Sequence, residues 1–178
     1  MSEDKKMVSY ITYCELEESP DPKMTSAGIG QIKKLRKFFP QKPALVICGT
    51  GRRHQQIAEI LGLTINIRDE HFGNPNIVIT ELSPEHVMLA SGKNVPIVQY
   101  VPFPDISVWS HFRMLQDQTV ICGDLYHIKA VLSCAPYSFP SHAKGVVYPF
   151  PFPQMATVYQ IAMKPGRITG VQAFTASP

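Results

Sequence analysis

The chain has 178 residues, 44% of them hydrophobic and 17% charged, enough for one substantial core and too few for two full domains, so one domain over residues 1–178 is expected. Seventeen basic side chains against fourteen acidic ones give a formal charge of +3, densest at Lys33, Lys34, Arg36 and Lys37, which is too mild for a nucleic-acid-binding protein. No stretch is apolar for long enough to span a bilayer, residues 1–6 carry acids, and Cys14, Cys48, Cys122 and Cys134 stand far apart with no C-x-x-C pair, so a cytoplasmic protein with reduced thiols and no membrane partner is expected.

Residues 7–14 form a short β-rich run. Thr25 then stands where an N-cap should, ahead of Ile29, Ile32, Leu35, Phe38 and Phe39 at helical spacing with lysines between them. Residues 44–48 read as a buried strand, Gly49-Thr50-Gly51 as a turn, and 53–61 as a helix stopped by Gly62. A third strand follows at 64–68. Ser83-Pro84 makes an N-cap and first-turn pair, which predicts a helix to about Ser91, and 95–101 reads as extended. Asp105 caps a predicted helix through Leu115, 119–122 is another apolar strand, and 125–134 another helix. The tail, 157–163 and 167–174 around Pro165-Gly166, predicts an antiparallel hairpin. The Pro-aromatic stretches at 101–105 and 148–153 read as stiff connectors.

Strands alternating with helices require crossover connections, and so predict an α/β fold, a three-layer α/β/α sandwich with a mainly parallel central sheet and a C-terminal antiparallel hairpin. Ligands of such sheets bind where the strands end, which directs attention to the loops after Tyr13, Ile47, Ile67 and Ile121.

The segments Ile11-Thr-Tyr-Cys14, Met24-Thr-Ser-Ala-Gly28-Ile-Gly-Gln31 and Ala44-Leu-Val-Ile-Cys48-Gly-Thr-Gly-Arg-Arg53-His-Gln-Gln56 resemble, in order and spacing, the histidine phosphatase (phosphoglycerate mutase-like) superfamily. Asp69-Glu-His-Phe-Gly73 and Thr119-Val-Ile-Cys-Gly-Asp124-Leu-Tyr-His-Ile-Lys-Ala-Val-Leu132 continue the likeness. Active members pass a phosphoryl group through a histidine held by two arginines and a second histidine, with an acid supplying a proton. The resemblance puts Tyr13 at the first arginine, Cys14 at the nucleophile, Arg53 at the second arginine, Asp124 at the second histidine and Asp69 at the acid. Of these, Arg53 and Asp69 keep the family's chemistry. What the resemblance implies is therefore a degenerate member.

Thr50, Arg52 and Arg53, at a glycine-rich turn opening a helix, form a candidate anion-binding set. The preferred alternative makes Arg53 a solvated helix-start residue paired with Asp69 or Asp124. For Asp124 a base or metal-ligand role is weighed against the preferred one, a buried ion-pair partner or the N-cap of the helix from Leu125. The strand-end Cys14, Cys48 and Cys122 could meet His54 or Asp124 around zinc, but the spacings match no metal pattern, so neither metal nor cofactor is expected. Glu15, Glu17 and Glu18 after Cys14 should raise its thiol pKa, against a cysteine phosphatase. His71 and His127 read as structural, and for Trp109, Phe112 and the Pro-Phe stretches core and loop packing is preferred to a partner surface. Two function classes stand. One is a pseudoenzyme scaffold for a protein partner or a small anionic ligand, with a homodimer compatible. The other is a phosphoric monoester hydrolase of altered mechanism using Cys14, Asp69 and Asp124.

Overall fold

In a computed structural model of the chain, the described residues are 5–74, 78–82, 86–89, 94–96, 106–135 and 154–177. Strand β1 (Lys6–Thr12) is followed by α1 (Ser26–Leu35), β2 (Leu45–Cys48), α2 (Arg52–Leu61) and β3 (Ile67–Arg68). Short strands β4 (Ile79–Leu82), β5 (His86–Leu89) and β6 (Asn94–Pro96) come next, then α3 (Ile106–Phe112), β7 (Thr119–Gly123), α4 (Leu125–Cys134), β8 (Thr157–Lys164) and β9 (Arg167–Thr175).

The main sheet has the order β3-β2-β7-β1-β8-β9. Its β3, β2, β7 and β1 run parallel, and β8 and β9 add antiparallel to β1. The expected α/β fold, with parallel centre and C-terminal hairpin, is thus present, and the strands of 7–14, 44–48 and 119–122 are its adjacent centre. Gly166, at φ 76°, supplies the left-handed residue that the turn after Pro165 needs.

Each central strand feeds two cores because successive side chains alternate faces. Ile11, Val46, Cys48, Val120 and Cys122 pack with Ile32, Leu35, Ile57 and Leu61 of α1 and α2. Tyr10, Ile47, Ile121 and Ile161 pack on the other face with Trp109 and Phe112 of α3 and Ile128, Val131 and Leu132 of α4. Thr25 caps α1 by accepting from the Gly28 N–H at 3.2 Å, and Gly62 closes α2 at φ 68°.

Three expectations need correction. Within the helix expected over 84–91, the described residues His86–Leu89 form β5 instead, whose backbone pairs antiparallel with β4 and β6, Val87 standing opposite both Leu82 and Val95. Two hydrogen-bonded neighbours outweigh a local Ser-Pro helix signal. The helix through Leu115 ends at Phe112, after which the Met114 and Leu115 N–H groups bond to carbonyls three residues back, a tightened last turn. The strand over 64–68 shrinks to Ile67–Arg68, the two residues in parallel register with β2, because Asn66 before them meets Val46 through its side chain as well as its backbone N–H. Residues 97–101, the cap at Asp105 and the Pro-aromatic stretches lie outside the described residues. Among the described residues no helix is long and apolar enough to cross a membrane.

Candidate functional site

The site forms where β1, β2 and β7 end. Asp124 leaves β7 with its N–H bonded to the Phe72 carbonyl at 2.8 Å and its own carbonyl accepting the Tyr10 hydroxyl at 2.9 Å, so its backbone is held from both sides. Arg53 and His54 open α2 and are fully buried. Arg53 Nη2 donates to Asp124 Oδ1 at 2.9 Å and to the Asn74 carbonyl at 2.9 Å. Its Nη1 stands 3.8 Å from Asp21 Oδ1, and the guanidinium lies 5.1 Å from the centre of the buried Tyr13 ring. His54 Nε2 is 2.7 Å from the same Asp124 Oδ1. A glycine cage makes room for that imidazole: a Cβ on Gly49 would come within 2.6 Å of His54 Nδ1, and one on Gly51 within 3.0 Å.

Burial pushes the Asp124 carboxyl up, but His54 and Arg53 together outweigh it and hold the group below the usual carboxylate range. It is therefore an anion at neutral pH. Burial depresses His54 more than Asp124 can raise it, so the imidazole is neutral there. Nδ1 of His54 has no hydrogen-bond partner among the described residues, which suits a lone pair better than a buried N–H. The proton accordingly sits on Nε2 and is donated to Asp124. A single carboxylate oxygen thus receives a guanidinium N–H and an imidazole N–H in a dry setting.

Arg53 pairs with Asp124, one of the two acids named for it, but it is wholly enclosed and not solvated. Asp124 stands at the N-cap position of α4 without making a capping bond, and of its two preferred roles it takes that of buried ion-pair partner.

The other candidates divide between interior and rim. Cys14 points into the core, its Sγ 3.2 Å from Met24 Sδ, and burial lifts its thiol to about 12. Glu15 adds to that rise, but burial and not the glutamate run is the largest cause. Cys48 and Cys122 stand opposite each other in the β2/β7 register and are buried. No group of three or more His, Cys, Asp or Glu placed to hold a metal ion occurs among the described residues. Asp69 accepts the His71 N–H at 2.9 Å, pairs with His71 Nδ1 at 2.8 Å, and lies 3.8 Å from His111 Nε2. Burial raises its carboxyl, but these hydrogen bonds more than reverse the effect, so Asp69 is ionised at neutral pH and holds no proton to donate. Thr50 gives its hydroxyl to the Gly73 carbonyl at 3.1 Å, and the Arg52 N–H bonds to Asp21 Oδ1 at 3.0 Å while its side chain is exposed.

Beside Asp124 opens a cleft of about 290 Å³ lined by Glu70, His71, Asn74, Tyr126 and His127. His127 is 6% exposed, stacked on Tyr10 at 5.8 Å and tilted against Phe72 at 4.4 Å. Burial drives its pKa down to about 3. Sequence reasoning assigned no site role to Tyr10, Asp21, Asn74, Tyr126 or His127, and gave His54 one only as a metal ligand. The signal within reach was the adjacency of His54 to Arg53 on the first turn of a helix after two glycines.

Comparison with solved structures identifies the fold. A protein histidine phosphatase SixA complexed with tungstate is similar at TM-score 0.59 and 11% identity, over 96% of this chain and 97% of that one. A proposed phosphohistidine phosphatase SixA from Nakamurella multipartitia is similar at TM-score 0.58 and 13% identity, over 95% and 96%. The Mycobacterium tuberculosis protein of open reading frame Rv3214 gives 0.55 and 14%, over 96% of each chain. The chain thus has the histidine phosphatase fold over nearly its whole length. No protein-family model and no curated protein matches the sequence.

Proposed function

We propose that the chain is a degenerate histidine phosphatase-like domain, a pseudoenzyme that keeps the fold as a scaffold and offers the cleft at its strand ends to a small ligand or a protein partner. One observation carries this reading: Asp124 Oδ1 lies 2.9 Å from Arg53 Nη2, so the guanidinium that should clamp a phosphate already holds an internal anion. A phosphate beside that carboxylate would face a like charge. At about 4 Å and an effective dielectric near 20 this costs roughly 4 kcal/mol per charge pair, about a thousandfold in affinity. Tyr13 at the first arginine position brings an aromatic face and no charge. Cys14 at the nucleophile position is buried with its thiol at about 12, so no useful thiolate exists at neutral pH. A cytoplasmic setting, which keeps Cys14, Cys48 and Cys122 reduced, accords with this reading.

The alternative hydrolase using Cys14, Asp69 and Asp124 has less behind it, because the Cys14 thiol is buried and held protonated, Asp124 is engaged by Arg53 and His54, and neither ionised carboxylate carries a proton to donate. The test is phosphate release from an aryl phosphate and from phosphohistidine at pH values of about 5 to 8, where a catalytic histidine titrates. Turnover should stay at background. Robust release abolished by Cys14→Ala would overturn the pseudoenzyme reading.

A further inference from the structure

Arg53 stands on the first turn of α2 yet has no exposure, and part of what closes it off comes from a loop that the proposed site does not use. Asp21 Oδ1 lies 3.8 Å from Arg53 Nη1 and accepts the Arg52 N–H at 3.0 Å. The Asp21 side chain is 31% exposed, against 11% for Asp124, so Asp21 is the acid on the solvent side of the guanidinium. Gly51, the N-cap of α2, has no side chain to cap the helix, and Asp21 meets the N–H of the first helical residue from outside. A carboxylate on a helix N-terminus beside a guanidinium sits as a bound anion would.

The loop is built to hold Asp21 there. Leu16 bridges Met24 antiparallel, the Glu17 N–H bonds to the Lys23 carbonyl at 2.8 Å and the Thr25 N–H to the Glu15 carbonyl at 2.9 Å, which closes residues 15–25 at the base. The returning limb is fixed on α2 by the Met24 N–H, which donates to Gln56 Oε1 at 2.7 Å, and it buries Pro22 and Met24. Pro20 and Pro22 stiffen the chain on both sides of Asp21, while residues 17–20 at the tip are exposed. The two aspartates are held differently. Asp124 has its backbone bonded on both sides, whereas the Asp21 carboxylate is held by a hydrogen bond and a wide ion pair open to water, and such a pair is weak. The loop can therefore open while Asp124 stays in place.

We infer that residues 15–25 are a removable strap: Asp21 occupies the solvent-side anion position on Arg53 and the α2 N-terminus, and shuts Arg53 off until the strap lifts. The inference rests on the reading that Arg53 is an anion site satisfied within the chain. It adds a second internal anion, one that an opening of the loop removes.

The experiment is arginine modification of the full chain by phenylglyoxal, with each site's rate read by mass spectrometry and the exposed Arg113 as internal standard. In the wild type Arg53 should react at least about tenfold more slowly than Arg113. Asp21→Ala removes the carboxylate, and Gln56→Ala removes the anchor of the returning limb. Each should speed Arg53 about fivefold or more and leave Arg113 unchanged. Arg53 that reacts as fast as Arg113 in the wild type, or as slowly in both variants as in the wild type, overturns the inference. Tungstate titration separates it from the reading beneath it. Adding Asp21→Ala to Asp124→Asn should tighten tungstate binding about tenfold beyond Asp124→Asn alone, and no further gain would also overturn the strap. Arg53 uncovered by both strap variants, with no tungstate bound by Asp124→Asn or by the double variant, would leave the strap standing and take down the reading of Asp124.

Discussion

The ends of β1 and β7 are neighbours, with Thr12 opposite Gly123 in the register, yet the residues that follow them have opposite character. After β1, Tyr13 and Cys14 turn into packing: the Tyr13 ring lies under Arg53, and Cys14 is wedged against Met24 and Gly28. After β7, Asp124 stays charged and is held by Arg53 and His54. One strand end is filled like a core, and the other holds a buried ion network of Asp124, Arg53 and His54. The difference teaches that adjacent strand ends of one sheet can be closed in two ways, by apolar packing or by a buried charge whose partners lie within the chain. On the proposed reading, both close what would otherwise be a phosphate site.

Asp124→Ala should break this contrast most severely. It leaves the buried Arg53 charge without its nearest partner, and the cost should be about 3–5 kcal/mol of stability in urea unfolding. A loss near zero would mean that the network holds nothing together.

Acid comes next in size. The folded pKa of His127 is about 3, against an ordinary 6.5, so the unfolded chain takes up the proton first. The stability from its neutral form is whole above pH 6.5 and drains away towards pH 3. Between pH 7 and 5 the loss should be about 2 kcal/mol, and His127→Phe should flatten that slope. His54, also depressed, acts in the same direction. A wild type equally stable at both pH values would show that His127 is not held neutral.

The β1 end responds to volume instead of charge. A Cβ on Gly28 would lie 2.7 Å from Cys14 Sγ and 2.9 Å from the Glu15 carbonyl oxygen. Gly28→Ala should therefore cost about 1 kcal/mol net, overpacking offset in part by alanine's better helix propensity. Adding Cys14→Ala should restore only part of the loss, since the backbone oxygen remains. Full restoration would place the whole strain on the thiol.

The central parallel strands were legible in the sequence because residues 44–48 and 119–122 are apolar on both faces, as strands between two helical layers must be. The caps at Thr25 and Gly62 were legible because their chemistry is local. β5 was not: whether His86–Leu89 pairs as a strand depends on neighbours elsewhere in the chain, while Ser83-Pro84 gives a helix signal at hand. At the site, motif spacing directed attention to Arg53 and Asp124. It could not show that Arg53 is enclosed, nor that His54 reaches the same oxygen, because the cage that admits His54 is built by Gly49 and Gly51 together with Gly73, twenty-two residues further on from Gly51. His127 reads as structural in sequence because burial and a missing partner are properties of the packed molecule.

The most direct test of the account is titration of the protein with tungstate, a tetrahedral oxyanion, followed by calorimetry and by the Arg53 side-chain resonances. The wild type should show no binding up to roughly millimolar concentration, and Asp124→Asn, which removes the internal anion and keeps its shape, should gain affinity by at least about tenfold. Roughly micromolar binding by the wild type, unchanged in Asp124→Asn, would contradict the claim that Asp124 already occupies the anion site of Arg53.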